Sequence, residues 1–254
     1  MQLHRVLWGK ERGDFHPSQP LDDLIQLIST NKKRMHPFPE IFAPRCDFTT
    51  RIVESGKDDD IPDPVSSWFI RTKQPADGGI VDGPFKPVMI FNADCPVVAV
   101  LDTSKPQLAV LHAGFSCLVP PACLNRKAPA SAKRGIIQVL FEDHGFTTGT
   151  SQVFVGYGIG PCCYGATNRP EIDDPTLDIR IGRATRGPRA GQRSVDLYQM
   201  IEDQFLKLGI PKERIEMDSA CTACCRDFGV SLYHSHCWDG PVAGRNAAMF
   251  FFSK

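Results

Sequence analysis

The chain lacks an excess of either charge: 29 Lys and Arg balance 29 Asp and Glu across 254 residues. A dedicated nucleic-acid or anionic-membrane binder draws its affinity from surplus basic residues, so this balance argues against both partners. Long apolar runs are missing as well. Pro96–Leu101 and Ala247–Phe252 fall far short of the roughly 20 residues that a membrane helix needs. Met1–Trp8 holds no apolar stretch of the kind that opens a secretory signal, so a cytoplasmic location with reduced thiols is expected. Internal repeats are absent. No nucleotide-cofactor fingerprint is complete either. Gly156-Tyr157-Gly158-Ile159-Gly160 is glycine-rich but lacks the dinucleotide spacing and the helix and acid downstream. It reads instead as a close backbone approach to a ligand.

What is present is ordinary globular material, with 42% hydrophobic and 23% charged residues, enough to bury a core. Val88–Asn92, Val97–Leu101 and Leu108–His112 are short, β-branched-rich runs that read as strands, with a turn over Asp102–Pro106 between the last two. Residues 152–156, 214–217 and 247–252 add further strands. Leu21–Ser29 is helix-like. Ser131–His144 reads as a helix capped by Ser131, and Ser194–Leu208 as a helix capped by Ser194 with a Leu197, Ile201, Phe205, Leu208 stripe. Residues 54–66 are acidic and proline-broken and read as a surface loop. The alternation predicts an α/β (α+β) chain built on a mixed sheet.

Ten cysteines occupy positions 46, 95, 117, 123, 162, 163, 221, 224, 225 and 237. Cys221-Thr222-Ala223-Cys224 is a Cys-x-x-Cys, but a zinc ribbon needs a second such pair, and none exists. Adjacent Cys162 and Cys163 would face opposite sides of a strand, so a structural role is expected for this set. Cys95 and His112 differ. They lie 17 residues apart at the ends of two strand-like runs, and a hairpin would bring them together. The imidazole could hold the sulfur as a nucleophile, or both could ligate zinc; a buried thiol beside a satisfied histidine is the third reading. Arg180 to Arg193 contains five arginines and no acid, which reads as a solvated loop or as a clamp for phosphate or carboxylate.

Several blocks then resemble one family. Ala93-Asp94-Cys95-Pro96-Val97, Leu111-His112-Ala113-Gly114-Phe115, Gly158-Ile159-Gly160-Pro161-Cys162-Cys163-Tyr164, Val195-Asp196-Leu197, Cys221-Thr222, Asp239-Gly240 and Gly244-Arg245 are similar, in order, to the motifs of the YfiH/laccase-domain family. The resemblance implies a single domain over residues 1–254, with 1–86 divergent and 87–254 carrying the motifs. It implies a mixed β-sandwich flanked by helices, a fold shared with cysteine-dependent glutamine deamidases. It also implies zinc-dependent handling of purine nucleosides, by phosphorolysis or deamination. The family's metal ligands are an upstream His, the Cys of Ala-Asp-Cys and the His of His-Ala-Gly; the last two are Cys95 and His112. Copper is not expected, because several copper ions need many histidines and these motifs supply one.

This chain departs from the pattern in two important places. Pro44–Ile52 aligns with the upstream segment and puts Phe48 where the first ligand belongs, and phenylalanine cannot ligate a metal. Cys46 or His236 is offered as a replacement third ligand. If Cys46 lay in a strand it would share Phe48's face, displaced by about 6.6 Å. The second departure is at Cys237 and Trp238, which replace the family's Arg-Arg pair before Asp-Gly. A charged substrate would then rely on Arg245, with the arginine loop closing over it. Asp94, Arg245, Trp238 and His236 complete the expected binding set for a small molecule, a nucleoside or other planar ligand. Three readings stand: a zinc-assisted nucleoside enzyme, a metal-free Cys-His hydrolase or deamidase-like enzyme, and a diverged non-catalytic binder.

Overall fold

A hairpin sits at the centre of the fold because its two strands are apolar at nearly every position. In the computed structural model, which describes residues 1–10, 40–57, 60–62, 69–124, 134–165, 170–174, 177 and 179–253, every residue of β8 (Val97–Asp102) is fully buried. It pairs antiparallel with β9 (Gln107–His112), with Val97 opposite His112 and Asp102 opposite Gln107. A strand buried on both faces reads as a continuous apolar run instead of an alternating one. The two faces nonetheless separate with period two. Val97, Ala99 and Leu101 enter one core, and Val98 and Val100 the other.

Around this hairpin the chain builds two six-stranded sheets. One runs β13 (Ile215–Met217), β10 (Ser151–Val155), β8, β9, β6 (Gly78–Asp82) and β3 (Ile52–Glu54). The other runs β1 (Gln2–Trp8), β16 (Asn246–Ser253), β7 (Val88–Asn92), β2 (Ile41–Phe42), β5 (Phe69–Thr72) and β4 (Asp60–Pro62). Residues from both sheets, among them Phe42, Val88, Ile90, Leu108, Val110, Phe154, Phe250 and Phe252, form the core between them. The opposite face of the first sheet is covered by helices α1 (Phe115–Leu118), α2 (Ile136–Asp143) and α3 (Leu197–Lys207), through Phe115, Ile137, Leu140, Ile201 and Phe205. This is the mixed sandwich with flanking helices. No helix among the described residues is long and apolar enough to cross a membrane.

Several element boundaries differ from the sequence reading, for local reasons. The α3 helix is capped by Asp196, whose carboxylate accepts from Gln199 N at 3.1 Å, while Ser194 lies in a strand. α2 starts after Gly135, where a side chain would lie 2.1 Å from the Leu118 carbonyl oxygen; Ser131 is outside the described residues. So is the helix-like Leu21–Ser29. Part of the acidic 54–66 segment is β4, paired with β5. The arginine loop contains a hairpin of β11 (Ile181–Arg183) and β12 (Arg193–Val195), with Arg193 paired to Asp173 and Arg180 close to Asp203.

Candidate functional site

Two strand ends meet at one edge of the first sheet. β9 delivers His112 there, and Asp94-Cys95 lead into β8 beside it. Val97 stands opposite His112 across the hairpin, which brings the Cys95 thiol beside the imidazole. Gly114 is needed at this spot: a Cβ on it would stand 2.8 Å from Cys95 Sγ. The β9 end is held by Asp77, which immediately precedes β6. His112 Nδ1 lies 2.6 Å from Asp77 Oδ1, and His112 N donates to the Asp77 backbone oxygen at 2.7 Å. With Nδ1 donating to this carboxylate, Nε2 is the ring atom left to face the thiols of Cys95 and Cys117. Cys117 is carried by α1 and also acts to raise the His112 pKa.

Asp77 is fully buried, and its charge is matched by a backbone nest. The amides of Asp47, Phe48 and Thr49 donate to it at 3.1, 3.2 and 2.6 Å, and the Thr49 hydroxyl adds a bond at 2.9 Å. Successive amides converge on one anion when the chain passes through the left-handed region, and Phe48 does so at φ 54°. A bulky residue pays about 1–3 kcal/mol for that conformation. Charge-assisted bonds to Asp77 offset it.

The electrostatics follow. Burial alone would depress the His112 pKa, but Cys95, Asp77 and Cys117 outweigh it and hold the imidazole pKa well above its ordinary value. Burial likewise works against the Asp77 carboxylate, yet the His112 bond and the backbone amides keep its pKa low. Burial pushes the Cys117 thiol up to about 11 and the Cys46 thiol up to about 12, both opposed by His112.

Phe48 stands against the Cys95–His112 pair. Its ring centroid is 5.5 Å from that of His112, and its Cε1 would be 3.6 Å from a Cβ on Gly114. The donor atoms of Cys46, Asp77 and His112 lie within 4.8 Å of one another. Cys46 is not in a strand, so the two-residue displacement expected for it does not arise; residues 44–50 curl around Asp77. Asp77 is already engaged by five donors, so this trio is a poor metal cage. Cys95 and His112 remain as two suitable ligands, and the Phe48 ring packed against the imidazole has no ligating atom. The residues present therefore do not complete the family's zinc set.

The other residues expected here have different surroundings. Asp94, buried and at φ 86°, accepts from the Thr222 and Ser235 hydroxyls at 2.8 and 2.7 Å and from Cys237 N at 2.5 Å. Its carboxylate thus ties the Cys95 loop to two C-terminal segments. Trp238, in the short helix α4 (His236–Asp239), packs on Gly187 and carries the Arg226 guanidinium 5.0 Å from its ring centroid. The ring lies between these groups and solvent, 37% exposed, and is not a core residue. His236 is exposed at the start of α4. Arg245 is half-buried, and its Nη1 donates to the Ala243 and Gly244 carbonyls. The glycine-rich 156–160 segment does make a close approach, but to the chain itself: a Cβ on Gly158 would lie 2.7 Å from Pro96 N.

Asp77 and Cys117 were absent from the sequence reading. Asp77 is 35 residues from its histidine, and no spacing announces it. Cys117 lay within reach, five residues beyond His112 in the His-Ala-Gly-Phe-Ser-Cys block.

The family described as multi-copper polyphenol oxidoreductase laccase matches residues 40–253. Purine nucleoside phosphorylase YlmD of Geobacillus stearothermophilus is 34% identical over 98 residues, which is 38% of this chain and 34% of that protein. The match therefore spans about a third of that relative's length. Among solved structures, Bacillus licheniformis YfiH, described as a hypothetical protein, superposes with a TM-score of 0.73 at 17% identity, covering 99% of this chain and 93% of that one. The YlmD structure from G. stearothermophilus gives 0.72 at 19% identity, over 99% and 91%. At these identities the superpositions establish the fold.

Proposed function

Because the chain belongs to the multi-copper polyphenol oxidoreductase laccase family, we propose that it is an enzyme acting on a purine nucleoside or a similarly planar small molecule. Cys95 and His112 are its reacting pair, and Asp77 is its positioning residue. The observation that carries this reading is the buried 2.6 Å bond between Asp77 and His112, with Cys95 brought to the same imidazole by the β8–β9 hairpin. The name of the relative, matched over about a third of its length, supplies the substrate class.

In this proposal Asp77 holds Nδ1–H, fixing the ring and its tautomer. His112 then gives the proton on Nε2 to the departing nitrogen as its bond to carbon breaks. Water takes the vacated carbon in a hydrolysis. Phosphate is the weaker candidate, since Cys237 and Trp238 stand where the family carries an arginine pair. Because the zinc donor set is one ligand short, the proposed chemistry uses the protein's own groups. Phe48 favours a second reading, in which Cys95 Sγ attacks an amide or amidine carbon, the C–N bond breaks and the nitrogen leaves with a proton from His112, and water then displaces the sulfur, returning a proton to His112 and restoring the thiol.

Purified protein incubated with purine nucleosides, with and without phosphate, tests the proposal. The expected result is base or amine release that needs no phosphate and disappears in His112→Ala. Turnover unchanged in that variant would overturn it. Arg245→Ala should weaken substrate binding if this half-buried guanidinium faces an anionic group, and equal affinity of the two proteins would remove it from the site.

A further inference from the structure

Cys162, Cys163, Cys221 and Cys224 bring all four sulfurs within 4.8 Å of one another, in a group that includes neither Cys95 nor His112. Two tight turns face each other to do this. In the first, the amides of Cys163 and Tyr164 both bond back to the Gly160 carbonyl at 3.0 Å. In the second, the amides of Cys224 and Cys225 bond back to the Cys221 carbonyl at 3.3 and 2.8 Å. The adjacent Cys162 and Cys163 were expected on opposite faces of a strand. They lie in a turn, where neighbouring side chains can converge.

From this geometry we propose that the four cysteines form a structural site for one zinc ion or a similar soft divalent cation, distinct from the reacting pair. A zinc tetrathiolate with bonds of about 2.3 Å has sulfur–sulfur edges of about 3.8 Å. The Cys162 and Cys224 sulfurs are 3.6 Å apart. A polynuclear iron–sulfur cluster would spread its four sulfurs further.

The surroundings suit thiolates. Gly160 N donates to Cys221 Sγ at 3.2 Å, and Gly160 lies against the Cys162 and Cys221 side chains. Arg186 Nη1 is 3.9 Å from Cys224 Sγ. One divalent cation with four thiolates carries a net charge of minus two, and the arginine-rich hairpin stands where it offsets that charge. On binding, each thiol that ligates as thiolate releases its proton, and no oxidant is needed.

The site would also brace the reacting centre. The second turn bridges to the first through Thr222 N and the Gly158 carbonyl at 2.9 Å. Both grip Asp94: Ile159 N donates to its backbone oxygen at 2.5 Å, and the Thr222 hydroxyl to its carboxylate. Asp94 is the neighbour of Cys95.

The test is metal analysis of the full chain, purified under reducing conditions after reconstitution with zinc, together with X-ray absorption at the zinc edge. About one zinc per chain in an all-sulfur shell near 2.3 Å is expected. It should persist in Cys95→Ala/His112→Ala and vanish in Cys162→Ser/Cys224→Ser. A wild-type protein without zinc would overturn the proposal. So would a nitrogen- or oxygen-rich shell, zinc lost with Cys95 and His112 alone, or a Cys162–Cys224 disulfide found by mass spectrometry. The absorption measurement needs only wild-type protein, so a variant that fails to fold leaves the test intact.

Discussion

The two ends of the β8–β9 hairpin are tied in similar ways and do different things. At the turn end, Asp102 accepts from Ser104 N and Oγ at 2.9 and 2.7 Å, from Thr150 Oγ1 at 2.8 Å and from Thr147 N at 2.8 Å. At the open end, Asp77 accepts from three amides, a hydroxyl and His112. Both carboxylates are fully buried and satisfied. Each of these donors to Asp102 is a backbone amide or a hydroxyl, and the turn is complete once they are bound. One donor to Asp77 is an imidazole with a second nitrogen turned toward two thiols. A satisfied carboxylate stabilises a fold; it orients chemistry only when one of its donors has another face. Backbone strain marks the same difference, with Phe48 and Asp94 at positive φ beside the reacting pair.

The largest expected separation between the two ends is in activity. His112→Ala should lower turnover by about 100- to 10,000-fold, whereas Thr150→Val at the turn should leave it within about twofold while lowering the unfolding midpoint in urea. Comparable activity losses in both variants would erase the contrast.

Next is Asp77→Asn against Asp102→Asn. Removing the Asp77 charge breaks a buried ion pair and should destabilise by about 3 kcal/mol, with activity falling too. At Asp102, burial pushes the pKa up, but bonds from Ser104, Thr150 and Thr147 outweigh it and hold it at about 2. Asp102→Asn should therefore lose about 2 kcal/mol of stability and leave turnover intact. Denaturant titration alongside an activity assay reads both.

A pH titration sharpens the turn end further. A depressed carboxylate pKa gives stability that is present above the unfolded value of about 4 and is lost as pH falls toward about 2. Wild-type protein should lose stability across that window, and Asp102→Asn should lose less. Parallel curves would show that Asp102 carries no such linkage.

The smallest expected effect concerns Phe48. Phe48→His restores a ligand beside Cys95 and His112 and should add zinc beyond that of wild type, measured by metal analysis. Unchanged metal in a folded variant would place Phe48 outside the ligand position. Phe48→Gly should alter stability by only about 1 kcal/mol, because relief of the positive φ offsets the lost ring contact.

Much of this was legible in the sequence because it is local. Val88–Asn92, Val97–Leu101 and Leu108–His112 are apolar over strand lengths, and the turn between the last two is short, so their pairing and the approach of Cys95 to His112 follow from chain geometry. Phe48 was placed beside that pair by motif alignment. The cysteine turns were misjudged because adjacent ligands on a turn look, in one dimension, like alternate faces of a strand. The sequence could not show that Trp238 meets Gly187 of the arginine hairpin and Arg226 while keeping part of its ring exposed.

By itself, the sequence determined the two-sided hydrophobic hairpin, the family motifs and the thiol and imidazole at its open end, since apolar periodicity and short spacings act along the chain. The tertiary structure alone decided which charges those groups meet. Asp77 reaches His112 across 35 residues, Asp94 reaches Cys237 across 143, and Cys162 reaches Cys224 across 62. Such contacts depend on how two sheets and their loops close over one another, and that closure is driven by burial of apolar surface, which is indifferent to the polar partners it brings together.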